Sequence, residues 1–548
     1  MKNAVLKLDP QDNVLIALKN LRQGEQILFE NQTYTLTSDV AAKHKFATAD
    51  LAIGGAVIMY GGLIGKARQP IRAGEALTTL NTAHEATPYH EKSADYLWAS
   101  PNADRWRGKH FLGYKRRDGQ VGTRNYWLVV PLVFCENRNV DVMKQAFEEE
   151  LGFAPPKVYR QQVAELVRHY REGKLDAIEA QSMQQSHTPQ QHKVFNNIDG
   201  IKFLIHEGGC GGTREDANNL CGLLAGYIHH PNVAGATVLS LGCQNSQIAI
   251  LREQISQRDP TFDKPLFVFE QQQSGSEFKM LSQAIHETFL GLAAANQAER
   301  APAPLSRLCI GLKCGGSDGF SGISANPAIG HLSDMLAALG GRSILSEFPE
   351  LCGVEQQLID RSMSKEVADR FIALMRDYAA RAKAARSGFD MNPSPGNIRD
   401  GLVTDAMKSA GAARKGGTSP VTAVLDYPEY STDRGLNLLC TPGNDVECVT
   451  AQVGAGANIV LFTTGLGTPT GNPVAPVLKI STNTDLAQRM KDIIDIDTGA
   501  IVTGDKTVEE MADSILELVV QVASGEVHTK AELLGQDDFI PWKRGVSL

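Results

Sequence analysis

A run of β-branched and apolar residues that ends in a cysteine and a glycine- or amide-rich turn occurs three times in this chain. The cases are Cys210 in IKFLIHEGGCGGT, Cys243 in ATVLSLGCQN and Cys314 in LCIGLKCGGSDG. Each run reads as a buried strand, and strands alternating with helical patterns make a parallel α/β sheet. The repetition therefore commits most of the chain to the α/β class. It also gathers thiols at the carboxyl ends of strands, where open α/β sheets bind ligands. Thiolates need a cation or a metal to stay ionised, so a soft transition-metal site is the first expectation.

At 548 residues the chain is too long for one core, and about two to four domains are expected. Its net charge of −8 argues against a broad nucleic-acid surface, while a local cluster of Arg, Lys and amides could still hold an anion. Nine cysteines without a CxxC fit neither a disulfide framework nor a zinc ribbon. Reduced thiols and a cytoplasmic setting are expected. The longest apolar stretch, Leu51 to Gly65, is short and glycine-rich, so no membrane partner is expected.

Four stretches are expected. Residues 1–84 alternate short apolar runs with turns, and R-x-G-E occurs twice, at Arg22–Glu25 and Arg72–Glu75, which suggests a small β domain with two similar turns. Residues 85–110 have no sustained period and read as a linker long enough to wrap a neighbouring surface. Residues 111–300 and 301–548 then form two α/β parts. In the first, Leu220, Leu223, Leu224, Tyr227 and Ile228 follow helical spacing behind a Thr213–Asp216 capping signature. In the second, Asn326-Pro327 reads as a helix start. The Gln-rich region within 155–195 reads as a surface insertion.

Several turns could carry chemistry. Gly208-Gly209-Cys210-Gly211-Gly212 lets backbone N–H groups approach a ligand just before a helix. Cys314-Gly315-Gly316-Ser317-Asp318 adds a hydroxyl and a carboxylate. Arg124 in Val121-Gly122-Thr123-Arg124-Asn125 offers a fork for a carboxylate. His44-Lys45 is a compact acid/base pair. Thr441 to Asp445 opens a helix, and Thr463 to Pro473 follows a strand with many small hydroxylated residues, which suits a polyhydroxylated or anionic ligand. Neither GxxxxGK[ST] nor GxGxxG after a strand is present, so no nucleotide cofactor is expected. Cys135, Cys221, Cys309, Cys352, Cys440 and Cys448 read as packing residues.

At these motifs the chain resembles the altronate/galactarate dehydratase family of sugar-acid hydro-lyases. The likeness runs from His44-Lys45-Phe46-Ala47 through Val121-Gly122-Thr123-Arg124-Asn125, Gly209-Cys210, Gly242-Cys243 and Cys314-Gly315-Gly316-Ser317-Asp318. It continues to Asn392-Pro393-Ser394-Pro395-Gly396-Asn397, Pro442-Gly443-Asn444-Asp445 and Thr464-Gly465. The resemblance implies a β-clip (SAF-like) domain ahead of two α/β parts with mainly parallel sheets. It implies iron-dependent loss of water from a sugar acid, foremost D-altronate to 2-dehydro-3-deoxy-D-gluconate. Galactarate or another aldonate or aldarate is the alternative substrate, and a non-catalytic sugar-acid sensor is the alternative of another class. The implied cofactor is a divalent metal, Fe2+ foremost, with Mn2+ or Zn2+ as alternatives, and a homo-oligomer is expected. On this reading Cys210, Cys243 and Cys314 contact the metal, and His44 and Lys45 supply acid/base groups. Arg124, Asn125, Ser317, Asp318, Asn444, Asp445, Thr464, Gly465 and Asn472 then hold the anion and hydroxyls.

Overall fold

The computed structural model describes residues 4–154, 158–180 and 192–548. Within the stretch read as an insertion, Val158–Arg171 and Leu175–Ala180 are helical, and the Gln-rich residues 181–191 lie outside the described set.

The first eighty residues fold as short antiparallel strands. Val14–Ala17 pairs with Val5–Leu6 and with Lys45–Ala47, and Gly62–Ala67 lies between Ala56–Met59 and Thr82–Ala83. The two R-x-G-E turns are built alike. The Glu25 carboxylate accepts the Arg22 N–H at 3.0 Å and the Glu75 carboxylate accepts that of Arg72 at 3.0 Å. The following N–H goes to an aspartate in both, Gln23 to Asp39 at 2.9 Å and Ala73 to Asp50 at 2.8 Å. The repeated sequence is thus a repeated way of satisfying turn amides with carboxylates.

The next segment straps this β domain to the far end of the chain. Lys92 donates to the Asp360 carbonyl at 2.6 Å, Tyr96 to that of Thr418 at 2.7 Å and Trp106 to the Asp513 carboxylate at 2.7 Å. His110–Lys115 then pairs antiparallel with Ala301–Pro304, which joins the two α/β parts.

Each part carries an all-parallel sheet. The first runs in the order Gly200–Phe203, Tyr126–Pro131, Val233–Ser240, Leu266–Glu270. The second has seven strands: Val421–Leu425, Gly435–Leu439, Arg342–Leu345, Cys309–Cys314, Ile459–Thr464, Val477–Ser481 and Ile496–Asp497. Tyr126–Pro131, Cys309–Cys314 and Ile459–Thr464 are buried along their whole length, as strands covered on both faces must be. In each sheet the strand order reverses beside its first strand. The crevices lie between Tyr126–Pro131 and Val233–Ser240, and between Cys309–Cys314 and Ile459–Thr464. Such switch points are where ligands bind.

Two helices pack the parts together. Arg214–His229 meets Asp445–Gly454 so closely that a Cβ on Gly226 would stand 2.1 Å from the Gly454 carbonyl oxygen. At the strand starts two buried asparagines join the sheets. Asn232 donates to the carbonyls of Asn458 at 3.3 Å and Val474 at 2.9 Å, and its own carbonyl accepts the Thr123 N–H at 2.7 Å. The Asn458 side chain accepts the Cys309 N–H at 3.0 Å. One expected helix start differs. Asn326 lies inside the helix Ala325–Ala338, and its side chain bridges Gly411 and Thr463 instead of capping. Among the described residues no helix is long and apolar enough to cross a membrane.

Candidate active site

The second switch point holds a dense, solvent-free array of charge. Lys313 and Cys314 end the central strand, and the strand Arg342–Leu345 leads directly to Glu347. That residue is fully buried with φ of +68°, a conformation that non-glycine residues reach only where surrounding contacts enforce it. The contacts are visible. Lys313 and Lys415 both bind the Glu347 carboxylate, the latter at 2.6 Å, and the Lys415 ammonium also reaches the Cys314 sulfur at 2.8 Å. Lys313 pairs further with Asp445 at 2.9 Å, and Lys408 with Glu350 at 2.8 Å. Burial pushes the Cys314 thiol up to about 11, against the pull of Lys415. Burial also opposes the charge on Lys415, but the Cys314 and Glu347 groups outweigh it and hold that lysine above its ordinary range.

Two sets of side chains here have metal-ligand composition. Cys314, Glu347 and Glu350 bring ligand atoms within 4.8 Å of one another. That set does not fit a cation, because Lys313, Lys408 and Lys415 already neutralise Glu347, Glu350 and Asp445. His84, Cys352 and Asp405 form the other set, also within 4.8 Å. Asp405 opens the helix Asp405–Ala412, is fully buried, and apart from the Cys352 thiol neither carboxylate oxygen has a hydrogen-bond partner. Burial, with Glu350 adding to it, lifts the Asp405 carboxyl well above its ordinary range. Burial lifts the Cys352 thiol and lowers His84. A buried carboxyl and thiol held toward their neutral forms by burial, beside an imidazole lowered by burial, is a donor set that fits a borderline divalent metal.

The β domain closes over this region with one loop. Lys43, at φ +75°, pairs with Asp318 at 3.0 Å and Asp400 at 3.1 Å. Its carbonyl oxygen lies 2.3 Å from a Cβ on Gly319 and 2.4 Å from one on Gly401, so only glycines admit it. The buried Lys45 ammonium donates to the Gly401 carbonyl at 2.7 Å, and burial brings it down to about 7. His44 is half-buried, with Nδ1 3.3 Å from the Ala42 carbonyl, and burial lowers it as well. A cleft of about 570 Å³ opens between the β domain and the second part, lined by Tyr60, His331 and Arg414. Gly353 and Ala406, neighbours of Cys352 and Asp405, also line it.

Six of the expected ligand-holding residues collect at this switch point. Asp318 accepts from Thr482 at 3.0 Å, and the buried Ser317 hydroxyl has no partner. Asn444 caps the helix Asp445–Gly454 through Val446 N–H at 3.1 Å, and Asp445 faces Lys313. Thr464 accepts the Gly467 N–H at 3.0 Å, and Gly465 gives Asp318 its space. Other assignments change. Arg124 is fully buried, paired with Glu532 at 2.7 Å and bonded to the Val522 carbonyl at 2.8 Å. Asn125 binds Asp199 and the Asn197 carbonyl, at 2.6 and 2.8 Å. Both lie at a strand start, opposite the ligand-binding end. Asn472 fixes its own loop through Val474 N–H at 2.9 Å and the Tyr227 hydroxyl at 2.9 Å. Cys314 ends a strand of the second sheet while Cys210 and Cys243 follow strands of the first, and among the described residues no set of ligand atoms within 4.8 Å joins the three. Sequence reading missed His84, Cys352, Asp405, Glu347, Glu350, Lys408 and Lys415. The lysine inside the otherwise apolar CIGLKC was the one available signal.

Known proteins match this chain from end to end. An altronate/galactarate dehydratase SAF domain matches residues 3–85. A second domain of D-galactarate dehydratase/altronate hydrolase matches residues 113–296, and a D-galactarate/altronate dehydratase C-terminal domain matches residues 305–547. Altronate dehydratase of Escherichia coli K12 is 34% identical over 546 residues, covering 99% of both chains. Altronate dehydratase of Bacillus subtilis 168 is 33% identical over 553 residues, again 99% of each. The L-threo-forming galactarate dehydratase of E. coli K12 is 30% identical over 536 residues, 97% of this chain and 94% of its own.

Proposed function

Because the chain belongs to the altronate/galactarate dehydratase family of hydro-lyases, we propose that it removes water from a sugar acid, with D-altronate as substrate and 2-dehydro-3-deoxy-D-gluconate as product. The observation that carries this reading is the buried lysine–carboxylate–thiol network at a switch point, flanked by His84, Cys352 and Asp405 and capped by the His44 loop.

Dehydration begins with loss of the weakly acidic C2 proton beside the carboxylate. It needs a neutral base, fixed positive charge for the enediolate and an acid for the leaving C3 hydroxyl. His44 is half-buried and lowered by burial, so it is unprotonated near neutrality and takes the C2 proton. The imidazolium returns it to the departing C3 hydroxyl, which leaves as water, and the enol left behind tautomerises to the keto acid. Lys45 beside it is brought down to about 7 by burial, so near neutrality it is partly protonated, and it holds the loop to Gly401. Lys415 stays an ammonium and supplies fixed charge, and the Ser317 hydroxyl is left free to bind a substrate hydroxyl. A divalent ion, Fe2+ foremost, held by His84, Cys352 and Asp405 would supply Lewis acidity toward the substrate carboxylate and its C2 hydroxyl.

The test is an anaerobic incubation with ferrous iron and, separately, D-altronate and D-galactarate, followed by assay for 2-keto-3-deoxy acid. Keto acid from altronate supports the reading. Keto acid from galactarate alone moves the substrate to an aldarate, and sugar recovered unchanged in both arms refutes catalysis. Asp405→Asn should lose bound divalent metal and keto-acid formation together. Metal retained in that variant would remove Asp405 from the ligand set.

A further inference from the structure

Three more cysteines meet at the first switch point, away from the site above. Cys135 follows the strand Tyr126–Pro131, Cys210 follows Gly200–Phe203 and Cys243 follows Val233–Ser240. These strands are adjacent and parallel, so the three loops leave the same end of the sheet. The loops are tied to one another. Phe134 N–H donates to the Gly208 carbonyl at 3.0 Å, and Asn245 N–H to that of Gly209 at 2.9 Å. The Ser246 hydroxyl binds the carbonyls of both Leu132 and Gly209. Gly209 is required at φ +97°, because a Cβ there would lie 2.2 Å from the Leu132 carbonyl oxygen. The backbone on either side of all three thiols is therefore fixed.

All three are free and exposed. Their sulfurs do not fall within the 4.8 Å that gathers the other candidate sets. A single ion with bonds near 2.3 Å needs sulfurs about 3.8 Å apart, so one zinc or iron ion does not suit them. They are close nonetheless. The loops that carry them are hydrogen-bonded to one another, Phe134 to Gly208 and Asn245 to Gly209. Thiols held on loops tied to one another, yet too far apart for one ion, suit the corners of an iron–sulfur cube, roughly 6 Å apart. Soft thiolate ligands favour such clusters. Cys210 is separated by Gly211 and Gly212 from Thr213, which caps the sixteen-residue helix Arg214–His229, whose N-terminus favours negative charge.

We propose that Cys135, Cys210 and Cys243 bind a [4Fe–4S] cluster through three of its irons, leaving the fourth iron open to an oxygen ligand. Two ferric ions, two ferrous ions, four sulfides and three thiols balance as a 2+ core bearing three thiolates, with three protons released. This site is independent of the substrate reading above.

Anaerobic reconstitution of the full chain with ferric and ferrous salts and sodium sulfide tests it. Expected, beyond any single ion at the His84 set, are about four irons and four acid-labile sulfides per chain, broad visible absorption and an electron paramagnetic resonance signal after reduction. Cys135→Ser should lose most of that absorption while its far-ultraviolet circular dichroism and melting temperature match wild type. Cys314→Ser, on the other sheet, should retain it. Absence of acid-labile sulfide from the reconstituted wild-type chain would overturn the proposal, as would a full cluster in folded Cys135→Ser.

Discussion

Lys45 shows how one buried side chain can register the acidity of its surroundings. Its ammonium is fully desolvated, with a folded-state value of about 7 against 10.5 for the free residue. Between those values the unfolded chain binds more protons than the native one, so this lysine makes stability rise with pH. Below about pH 7 the full penalty is present, and it fades as pH climbs toward 10. Lys45→Met should therefore be relatively more stable than wild type at pH 6. Its advantage should shrink by at most ~1.4 kcal/mol per pH unit above 7. Urea midpoints measured from pH 6 to 9 would show this, and a gap that does not change with pH would rule it out. The neighbouring His44 carries a prediction of its own. His44→Ala should lower kcat for keto-acid formation ~10²–10⁴-fold with an unchanged melting temperature, as loss of a proton-transfer group does. A near wild-type kcat would leave the β domain a merely structural cover.

Among the elements, the helix pair Arg214–His229 and Asp445–Gly454 offers the sharpest test of packing. Gly226→Ala drives a methyl onto the Gly454 carbonyl at 2.1 Å, with no flexible atom to yield. Overpacking of this kind costs about 1–3 kcal/mol, and the denaturation midpoint should fall with an unchanged slope. Wild-type stability would mean that the helices can part without cost. Sequence reading succeeds where the physics is local. Thr213 accepts the Asp216 N–H at 3.1 Å as its capping signature implies, and the R-x-G-E turns close through their own glutamates. It fails where partners are remote, since Lys415 lies 101 residues from Cys314 and 68 from Glu347. Arg124 was misplaced for another reason. Residue type does not say which end of a strand a side chain serves, although its position before NYWLVV already put it at the amino end.

At the scale of the whole molecule, the β domain and the second α/β part converge on one region. The strap through Lys92, Tyr96 and Trp106 carries the chain from the β domain across the last part before the sheets begin. The β domain is held by its Lys43 loop and by the Thr404 hydroxyl, which donates to the Ile64 carbonyl at 2.6 Å. His84, from the β domain, meets Cys352 and Asp405 only because of that docking. Thr123 and Cys309 belong to different parts, yet their amides end on Asn232 and Asn458, the two side chains joining the strand starts. Both amides are buried where the two sheets meet, so separation of the sheets there exposes them together. Hydrogen exchange at these two amides should therefore be slow and matched, so that two distant points of sequence act as one clock for the opening of the entire core.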